Sequence, residues 1–465
     1  MLLPHMTNGV LTMSAEASRP SSSAVVHVAH VIDTEGPLHE PIAATFDRLK
    51  TIFGIDMPPS PVTLSRLQSG EIGLGGREAA VAKLLSGELL RYNDEWSKID
   101  AMLSDCMSAG FRQRYADSLG KGWVYNWFCM DHVGYIDNPR RRDIGYHHIF
   151  DHYREILGAD ARSPDQVYFH FHPMAFSKAA HHAGNHYFAN GDFLYQILSR
   201  RIIDRQWFPS VYRPGFDTIR PESNAFLEQF IPFEYSSQSY VGDTDQPDLQ
   251  GGRWADWRRA PVSWSPYHPD HDDYQRPGNC RRWINRVLNL GTRYRLMTQR
   301  DVDLAFVEAA EGKPAIIAYT DHDFRDIRPN VANMHGMLVD AARRFPHVSF
   351  SHTDAREAYR SALKLEVPPP VKFNVTWADN RLDIVADRSI FGPQPYLALK
   401  TVTGQYGHDN FDIQEPFRSW SYVFDEHNLP LPILDTIGFA ACDRTGGVSI
   451  ALIDVRTREI RSTVL

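Results

Sequence analysis

The sequence contains few cysteines and no long apolar segment. Its 4 cysteines, Cys106, Cys129, Cys280 and Cys442, are scattered without a C-x-x-C pair, so neither a disulfide framework nor a thiolate metal site is predicted. Sparse, unpaired cysteine is typical of a reducing compartment, and we expect a cytoplasmic protein. No apolar run approaches the roughly 18 residues that cross a membrane as a helix. We therefore expect no membrane insertion.

The sequence also lacks a large block of lysine and arginine. Its net charge is −8, which argues against nucleic acid as a partner. Histidine, by contrast, is plentiful at 21 residues, and this composition favours metal or proton-transfer chemistry. With 465 residues, the chain exceeds what one hydrophobic core usually supports, so two domains are expected.

Strand-like and helix-like segments alternate along most of the chain. Residues 1–24 predict a mobile N-terminal segment, because they are Ser-rich at their end and lack the apolar core of a secretory signal. Residues 25–365 contain about seven strand–helix units, with a helical insertion at about 45–120. This alternation predicts an α/β domain with a parallel barrel or open sheet, whose chemistry collects at the carboxyl ends of the strands.

One long helix is predicted within the insertion. Apolar residues recur there every three or four positions, the spacing of a single buried stripe, with a break near Gly87. They are Leu85, Leu89, Tyr92, Trp96, Ile99 and Leu103.

The residue pattern of the sequence changes after Pro368-Pro369-Pro370. Residues 366–465 offer short alternating runs between Asp, Asn and Gly turns, which predicts a smaller all-β domain of the sandwich type. We expect this domain to pack on the first one rather than to carry the chemistry.

Two histidines end the strand predicted at Val167–Phe171. His170 and His172 are two residues apart, so their side chains leave the strand on the same face. Two neighbouring imidazoles are half of a metal site. The alternative is one hydrogen-bonded core histidine beside one loop histidine.

Other predicted strands also end in ionisable residues. Asp33 and Glu35 follow the strand at Val25–Ile32, and their spacing again places both on one side; an ordinary polar turn is the alternative. Arg213 and His322 follow two further strands. Two imidazoles and one carboxylate leave positions open on a divalent metal, a second carboxylate can deprotonate water, and an opposed histidine can protonate a leaving nitrogen.

In their order along the chain, these motifs resemble the polysaccharide deacetylase superfamily. The resemblance implies a distorted (β/α)7 barrel over residues 25–355, with Asp33 as catalytic base and His322 as acid. It also implies that Glu35, His170 and His172 hold one divalent metal ion, most simply Zn²⁺. Asp33-Thr34-Glu35 stands where the family has two adjacent acids, and His170-Phe171-His172-Pro173 is similar to a variant of its histidine motif.

Two more motifs belong to the same resemblance. Arg213-Pro214-Gly215 is similar to the arginine motif that orients the base, and Asp256-Trp257 is similar to the tryptophan-bearing motif. The family's usual histidine spacing of four is absent, so the second histidine ligand is either His172 or one of a later group. That group is His181, His182 and His186.

The function predicted from this set is removal of an N-acyl group from a sugar or a cell-surface polysaccharide intermediate. The loop Arg140-Arg141-Arg142 predicts carboxylate or phosphate recognition through Arg141, and with the inserted helices it favours a small anionic sugar over a long chain. Trp257, Asp321 and Asp323 are also predicted to bind substrate. The sequence is compatible with a homo-oligomer, and with an oligomeric sugar as the substrate.

Three other functions are also compatible with parts of this pattern. A catalytically silent carbohydrate-binding barrel would keep the fold without the metal chemistry. A 2-His-1-carboxylate iron oxygenase of the cupin kind also places His-x-His on a strand, but residues 173–187 contain no acid and helices alternate with the strands. A retaining glycosidase built on Asp33 depends on the separation of two carboxylates, which sequence does not give.

Overall fold

The computed structural model describes residues 24–131, 133–135, 138, 140–141, 145–159, 163–178, 187, 190–240, 256–292 and 295–465. The predicted mobile segment, residues 1–24, lies outside these residues except for Ala24. In the described residues the helices are α1 Ile42–Phe53, α2 Pro61–Gln68, α3 Glu78–Leu84, α4 Trp96–Cys106, α5 Ala109–Arg114, α6 His148–Gly158, α7 Gly191–Arg205, α8 Pro221–Phe230, α9 Gln299–Ala310, α10 Arg328–Arg344 and α11 Ala355–Ala362.

The strands fall into a parallel set and an antiparallel set. The parallel set is β1 Ala24–Thr34, β2 Tyr125–Asp131, β3 Gln166–Phe171, β4 Val211–Pro214, β5 Phe233–Ser237, β6 Trp283–Arg286, β7 Leu288–Asn289, β8 Ile316–His322 and β9 Val348–His352. The antiparallel set is β10 Phe373–Ala378, β11 Arg381–Ala386, β12 Tyr396–Thr401, β13 Tyr406–Asp409, β14 Asp412–Glu415, β15 Ser419–Val423, β16 Leu434–Cys442, β17 Val448–Asp454 and β18 Ile460–Val464.

The parallel strands form a nearly closed barrel. Their order is β6-β5-β4-β3-β2-β1-β8-β7, and β9 pairs with the first half of β1. Only Val287 separates β6 from β7 along the chain, and β6 pairs with β5 while β7 pairs with β8. The two ends of the sheet are therefore one bent segment of chain. This confirms the predicted mixed α/β barrel followed by a β domain.

Apolar side chains fill the inside of the barrel. Alternate residues of the strands, such as Ala29 and Val31 in β1, meet in one buried cluster, which Ala355 and Tyr359 of α11 join. Strand β2 is buried along its whole length, as expected for a parallel strand covered on both faces. Because apolar side chains fill the interior of the barrel, a functional site is expected at the strand ends.

The prediction of one long helix in the insertion is wrong. Helix α3 ends at Leu84 and α4 begins only at Trp96. Between them Asn93 donates its backbone N–H to the carbonyl of Phe324 and accepts from Leu38, so tertiary contacts hold the segment out of a helix. Leu85 belongs to the core of the insertion and Leu103 to the main core. The residues of the apparent stripe therefore pack into two separate hydrophobic cores.

The sequence prediction missed the bent strand β6–β7. Arg286 ends β6 and Arg282 directly precedes it, and both are buried, whereas a buried strand of a parallel sheet usually has apolar residues. Arg282 pairs with Glu234 at 3.0 Å and Arg286 with Asp301 at 2.8 Å. The pairing lets polar residues occupy a strand that closes the barrel.

The C-terminal sheets share a hydrophobic core, as predicted for a β-sandwich. One sheet has the order β10-β11-β15-β14 and the other β13-β12-β16-β17-β18, and residues of both sheets meet in one cluster. The second sheet packs on α7 of the barrel. There Tyr396 is fully buried, stacks on His408 at 4.1 Å between ring centres, and donates its hydroxyl to the carbonyl of Tyr195.

Among the described residues, no helix is both long enough and apolar enough to cross a membrane.

Candidate metal centre

The polar strand ends predicted from the sequence meet at the carboxyl edge of the barrel. Asp33 on β1 lies opposite His322 on β8, and His170 on β3 lies opposite Arg213 on β4. All these strands are parallel, so their carboxyl ends share one edge of the sheet. The structure thereby brings the predicted base, acid, arginine and histidine together.

Glu35, His170 and His172 form a triad of potential metal ligands. Their ligand atoms lie within 4.8 Å of one another. The two Nε2 atoms are 2.8 Å apart, and Oε1 of Glu35 lies 3.8 Å from that of His170 and 3.4 Å from that of His172. All three residues are at least nine-tenths buried as side chains.

The tautomer of His170 follows from its other ring nitrogen. Nδ1 lies 3.1 Å from the backbone carbonyl of Arg213, which can only accept a hydrogen bond. The Nδ1–H therefore donates to that carbonyl, and Nε2 presents its lone pair to the triad. A metal-binding histidine is commonly oriented in this way by a backbone carbonyl.

The turn Gly215–Asp217 that follows β4, which we call the β4 turn, positions His172. A Cβ atom on Gly215 would lie 2.5 Å from Cγ of His172, so only glycine permits the imidazole to rest on this backbone. The ring of Phe216 also contacts His172, with 4.7 Å between ring centres. Phe216 and Asp217 both adopt a positive φ, 54° and 55°, which is uncommon outside glycine and marks a strained turn beside the site.

Two charged residues surround Glu35. Arg141 forms an ion pair with Oε2 and donates to the Glu35 carbonyl at 2.9 Å. Asp323 accepts the Glu35 backbone N–H at 2.8 Å. Burial raises the pKa of the Glu35 carboxyl, but Arg141, His170 and His172 together lower that pKa to well below its usual range. The carboxylate is therefore ionised, as a metal ligand must be.

Asp33 is held by a buried arginine. Arg213 donates to both oxygens of Asp33, from Nε at 3.0 Å and from Nη2 at 3.2 Å. Burial raises the pKa of Asp33, yet the charge of Arg213, followed by those of His170 and His322, outweighs it and leaves the pKa below the usual value of 3.8. Asp33 is therefore ionised and fixed in orientation.

Asp217 is a residue of this network that the sequence did not single out. It forms an ion pair with Nη1 of Arg213, and the indole of Trp257 donates to its backbone carbonyl at 2.9 Å. Burial raises the pKa of Asp217. The only sequence signal was its place four residues after Arg213, in the turn that follows the arginine motif.

His322 is a second neighbour of Asp33, besides Arg213. Its Nε2 is 3.7 Å from Oδ2 of Asp33, and its side chain is 18% exposed. Burial lowers the pKa of His322 to about 4, in spite of the nearby carboxylates of Asp33 and Glu35. The imidazole is therefore neutral at pH 7.

The residues predicted to bind substrate have different environments. The side chain of Arg141 is 12% exposed and lies over the ring of Phe324 at 5.3 Å. Trp257, Asp321 and Asp323 are at most 1% exposed, and each is hydrogen bonded to protein groups.

The alternative ligands of the sequence prediction are not placed. His181, His182 and His186 lie outside the described residues, as does Arg142.

The triad suits a divalent first-row metal ion. Two imidazole nitrogens and one carboxylate oxygen are donors that zinc and iron accept. Two nitrogens on one zinc ion, each at about 2.0–2.1 Å, are about 3.3 Å apart in tetrahedral geometry. The observed separation of 2.8 Å between the two Nε2 atoms is close to this, so small side-chain movements are sufficient.

No family model, curated protein or solved structure matches this chain. Its function is therefore inferred from the geometry of the site.

Proposed function

We propose that the protein is a metal-dependent amidohydrolase that removes an N-acyl group from a sugar or a sugar-derived cell-surface intermediate. The observation that carries this proposal is the position of Asp33, whose carboxylate lies beside both His170 of the triad and His322. Its Oδ1 is 3.9 Å from Nδ1 of His170 and its Oδ2 is 3.7 Å from Nε2 of His322. A potential metal site, a base and an acid that lie close together are the groups that metal-dependent hydrolysis of an amide uses.

The fold supports a barrel of the polysaccharide deacetylase type. If β6 and β7 count as one bent strand, the closed circuit of paired strands runs through β1, β2, β3, β4, β5, β6–β7 and β8. We propose that this circuit is the distorted (β/α)7 barrel expected from the motifs. The motif residues then occupy the ends of four of its strands.

The residues of this chain divide the reaction among them. Glu35, His170 and His172 would hold one divalent ion, with Zn²⁺ our first choice. When bound, the ion would lower the pKa of a water molecule and polarise the acyl carbonyl.

Asp33 and His322 would carry the proton. Asp33 accepts it from the attacking water, whose oxygen bonds to the acyl carbon, and passes it to the neutral His322. His322 then gives the proton to the sugar nitrogen as the C–N bond breaks. The products are the free carboxylic acid and the amine, and Asp33 and His322 return to their initial states.

Arg213 is assigned the role of a positioning residue. Its guanidinium fixes the orientation of Asp33, and Asp217 in turn fixes Arg213. Arg141 is assigned to bind an anionic substrate, because its side chain is 12% exposed beside the triad. Trp257 is assigned a supporting role in place of substrate contact, because its buried indole donates to the backbone carbonyl of Asp217.

Metal analysis and Asp33→Asn test the proposal. We expect close to one divalent ion per chain in protein purified without chelators, lost in His170→Ala/His172→Ala and kept in His427→Ala, a control at an 84% exposed side chain. Asp33→Asn should keep the metal and lose release of acid from N-acetyl and N-formyl sugars. An active Asp33→Asn protein would remove Asp33 from its role.

The same experiments separate the alternatives. Sugar binding that chelators do not affect, without hydrolysis, would identify a silent carbohydrate-binding barrel. The triad is also a 2-His-1-carboxylate set, which favours an iron oxygenase as the second candidate function. Dioxygen consumption after addition of Fe²⁺, without release of acid, would identify that activity.

A further inference from the structure

The turn that carries Glu35 is held in place by Asp323. Oδ1 of Asp323 accepts the backbone N–H of Glu35 at 2.8 Å, and Oδ2 accepts that of Gly36 at 3.0 Å. The backbone N–H of Asp323 donates to the carbonyl of Asp33 at 3.4 Å. Asp323 is fully buried, so the contacts are not weakened by water. One residue thus binds the backbone of both the base and the metal ligand.

Asp323 and Arg141 together leave one atom of Glu35 for a metal ion. The backbone N–H of Glu35 donates to Asp323, while its carbonyl and Oε2 accept from Arg141. Oε1 alone faces the imidazoles of His170 and His172. The carboxylate is therefore preset to offer a single oxygen to the triad.

Further contacts fix Asp323 itself. The hydroxyl of Tyr153 in α6 donates to Oδ2 at 2.9 Å, and Asn93 in the insertion donates to the Asp323 carbonyl at 2.9 Å. Because Asp323 directly follows His322, the same residue ties the turn of the metal ligand to the strand end that carries the proposed acid.

We propose that Asp323 is a positioning residue that sets the metal affinity of the site through Glu35. The inference rests on the proposed function, because it takes the triad to be a metal site. It replaces the prediction that Asp323 binds substrate. Residues one step behind the ligands commonly contribute 10- to 100-fold to metal affinity, and Asp323 acts on the ligand's backbone from a fully buried position.

Cobalt titration of the full-length protein tests this proposal. Bound Co²⁺ gives visible absorption bands that report the geometry of its ligands. Asp323→Ala should weaken Co²⁺ binding by about 10- to 100-fold and change the spectrum. Asp323→Asn keeps an oxygen for the Glu35 N–H, so its loss should be smaller than that of Asp323→Ala.

Asp321→Asn is the matched control. Asp321 is as buried as Asp323 and lies two residues away, but its Oδ1 accepts from Asn330 and from the N–H of His322, not from the Glu35 turn. We expect its Co²⁺ affinity and spectrum to equal those of the wild type. A general effect of removing a buried acid would instead weaken Co²⁺ binding in Asp321→Asn as well as in the Asp323 variants.

The outcomes separate the two levels of inference. If wild type binds Co²⁺ and all the variants bind it within twofold with the same spectrum, Asp323 has no positioning role. If Asp323→Ala does not fold, the test rests on Asp323→Asn and on Tyr153→Phe, which removes the hydroxyl that donates to Asp323. Unchanged Co²⁺ affinity in both of these variants overturns the proposal. If wild type binds neither Co²⁺ nor Zn²⁺, the metal-dependent function itself fails.

Discussion

Replacing Arg213 with methionine should destabilise the protein in a way that depends on pH. Arg213 is 2% exposed and contacts two carboxylates, Asp33 and Asp217, which are 4% and 6% exposed. Methionine keeps much of the length of the side chain but removes the charge. The variant therefore leaves two ionised groups buried without their cation.

The magnitude follows from the burial of this network. Removing one partner of a buried ion pair typically costs about 3–5 kcal/mol, because the other charge stays uncompensated. We expect a loss in this range at pH 8. An exposed pair provides the control: Arg205→Met removes the partner of Asp151, whose side chain is 48% exposed, and should cost no more than about 1 kcal/mol.

The sign of the pH dependence is specific. In the wild type the pKa of Asp33 is lowered. The ionised Asp33 carboxylate therefore stabilises the folded protein at pH values above its ordinary pKa, and this stabilisation is lost as the pH falls through the pKa of Asp33 in the folded protein. Without Arg213, burial raises the pKa of Asp33 and further raises that of Asp217. The folded variant then binds protons that the unfolded chain does not, so its deficit shrinks as the pH falls from 8 to 5.

Urea unfolding followed by tryptophan fluorescence measures both effects. Chelator is included so that metal binding does not contribute. Each pKa unit by which a carboxyl differs between folded and unfolded chains corresponds to about 1.4 kcal/mol, so the deficit should fall measurably between pH 8 and pH 5. A deficit under about 1 kcal/mol, or one that grows as the pH falls, would refute the reasoning.

Two further predictions concern packing. Gly215→Ala should displace the His172 imidazole, because the new Cβ would lie 2.5 Å from its Cγ, and Zn²⁺ affinity by calorimetry should drop at least about tenfold. Gly87→Ala, with nothing within 4 Å of the new Cβ, should bind as wild type does, and equal affinity of the two variants would contradict the role of the β4 turn. Tyr396→Ala empties a fully buried position at the domain interface and should cost about 3–5 kcal/mol in urea unfolding; a cost below about 1 kcal/mol would show that the ring does not hold the domains together.

Local patterns were sufficient to predict many of the elements. Thr298 and Asp301 form a capping box at the start of α9, with both of its hydrogen bonds present, and this motif is defined by only four consecutive residues. The spacing of two in Asp33-Thr34-Glu35 and in His170-Phe171-His172 predicted groups that share a face. The structure places Glu35 beside both histidines and Asp33 beside His170. These signals are readable because each depends on the geometry of a short stretch of backbone.

Patterns that depend on distant contacts were misleading. The stripe from Leu85 to Leu103 has helical spacing, yet Asn93 is held by the loops that follow β1 and β8, and the stripe is divided between two helices. Strand β6–β7 was hidden because Arg282 and Arg286 are polar, and their burial depends on partners about 48 and 15 residues away in the chain.

By itself, the sequence determined the alternation of strands and helices, the β-domain after the Pro-rich segment and the set of residues at the strand ends. Only the tertiary structure decided how the barrel closes and which groups support the site. Asp217 and Asp323 are short acidic side chains in turns, a context in which most acids face water. Asp217 gains its role because Arg213, four residues earlier, is drawn towards Asp33 on another strand and needs a second carboxylate. Asp323 gains its role because the backbone of Glu35 reaches it from the end of β1, and such a contact leaves no periodic trace in the sequence.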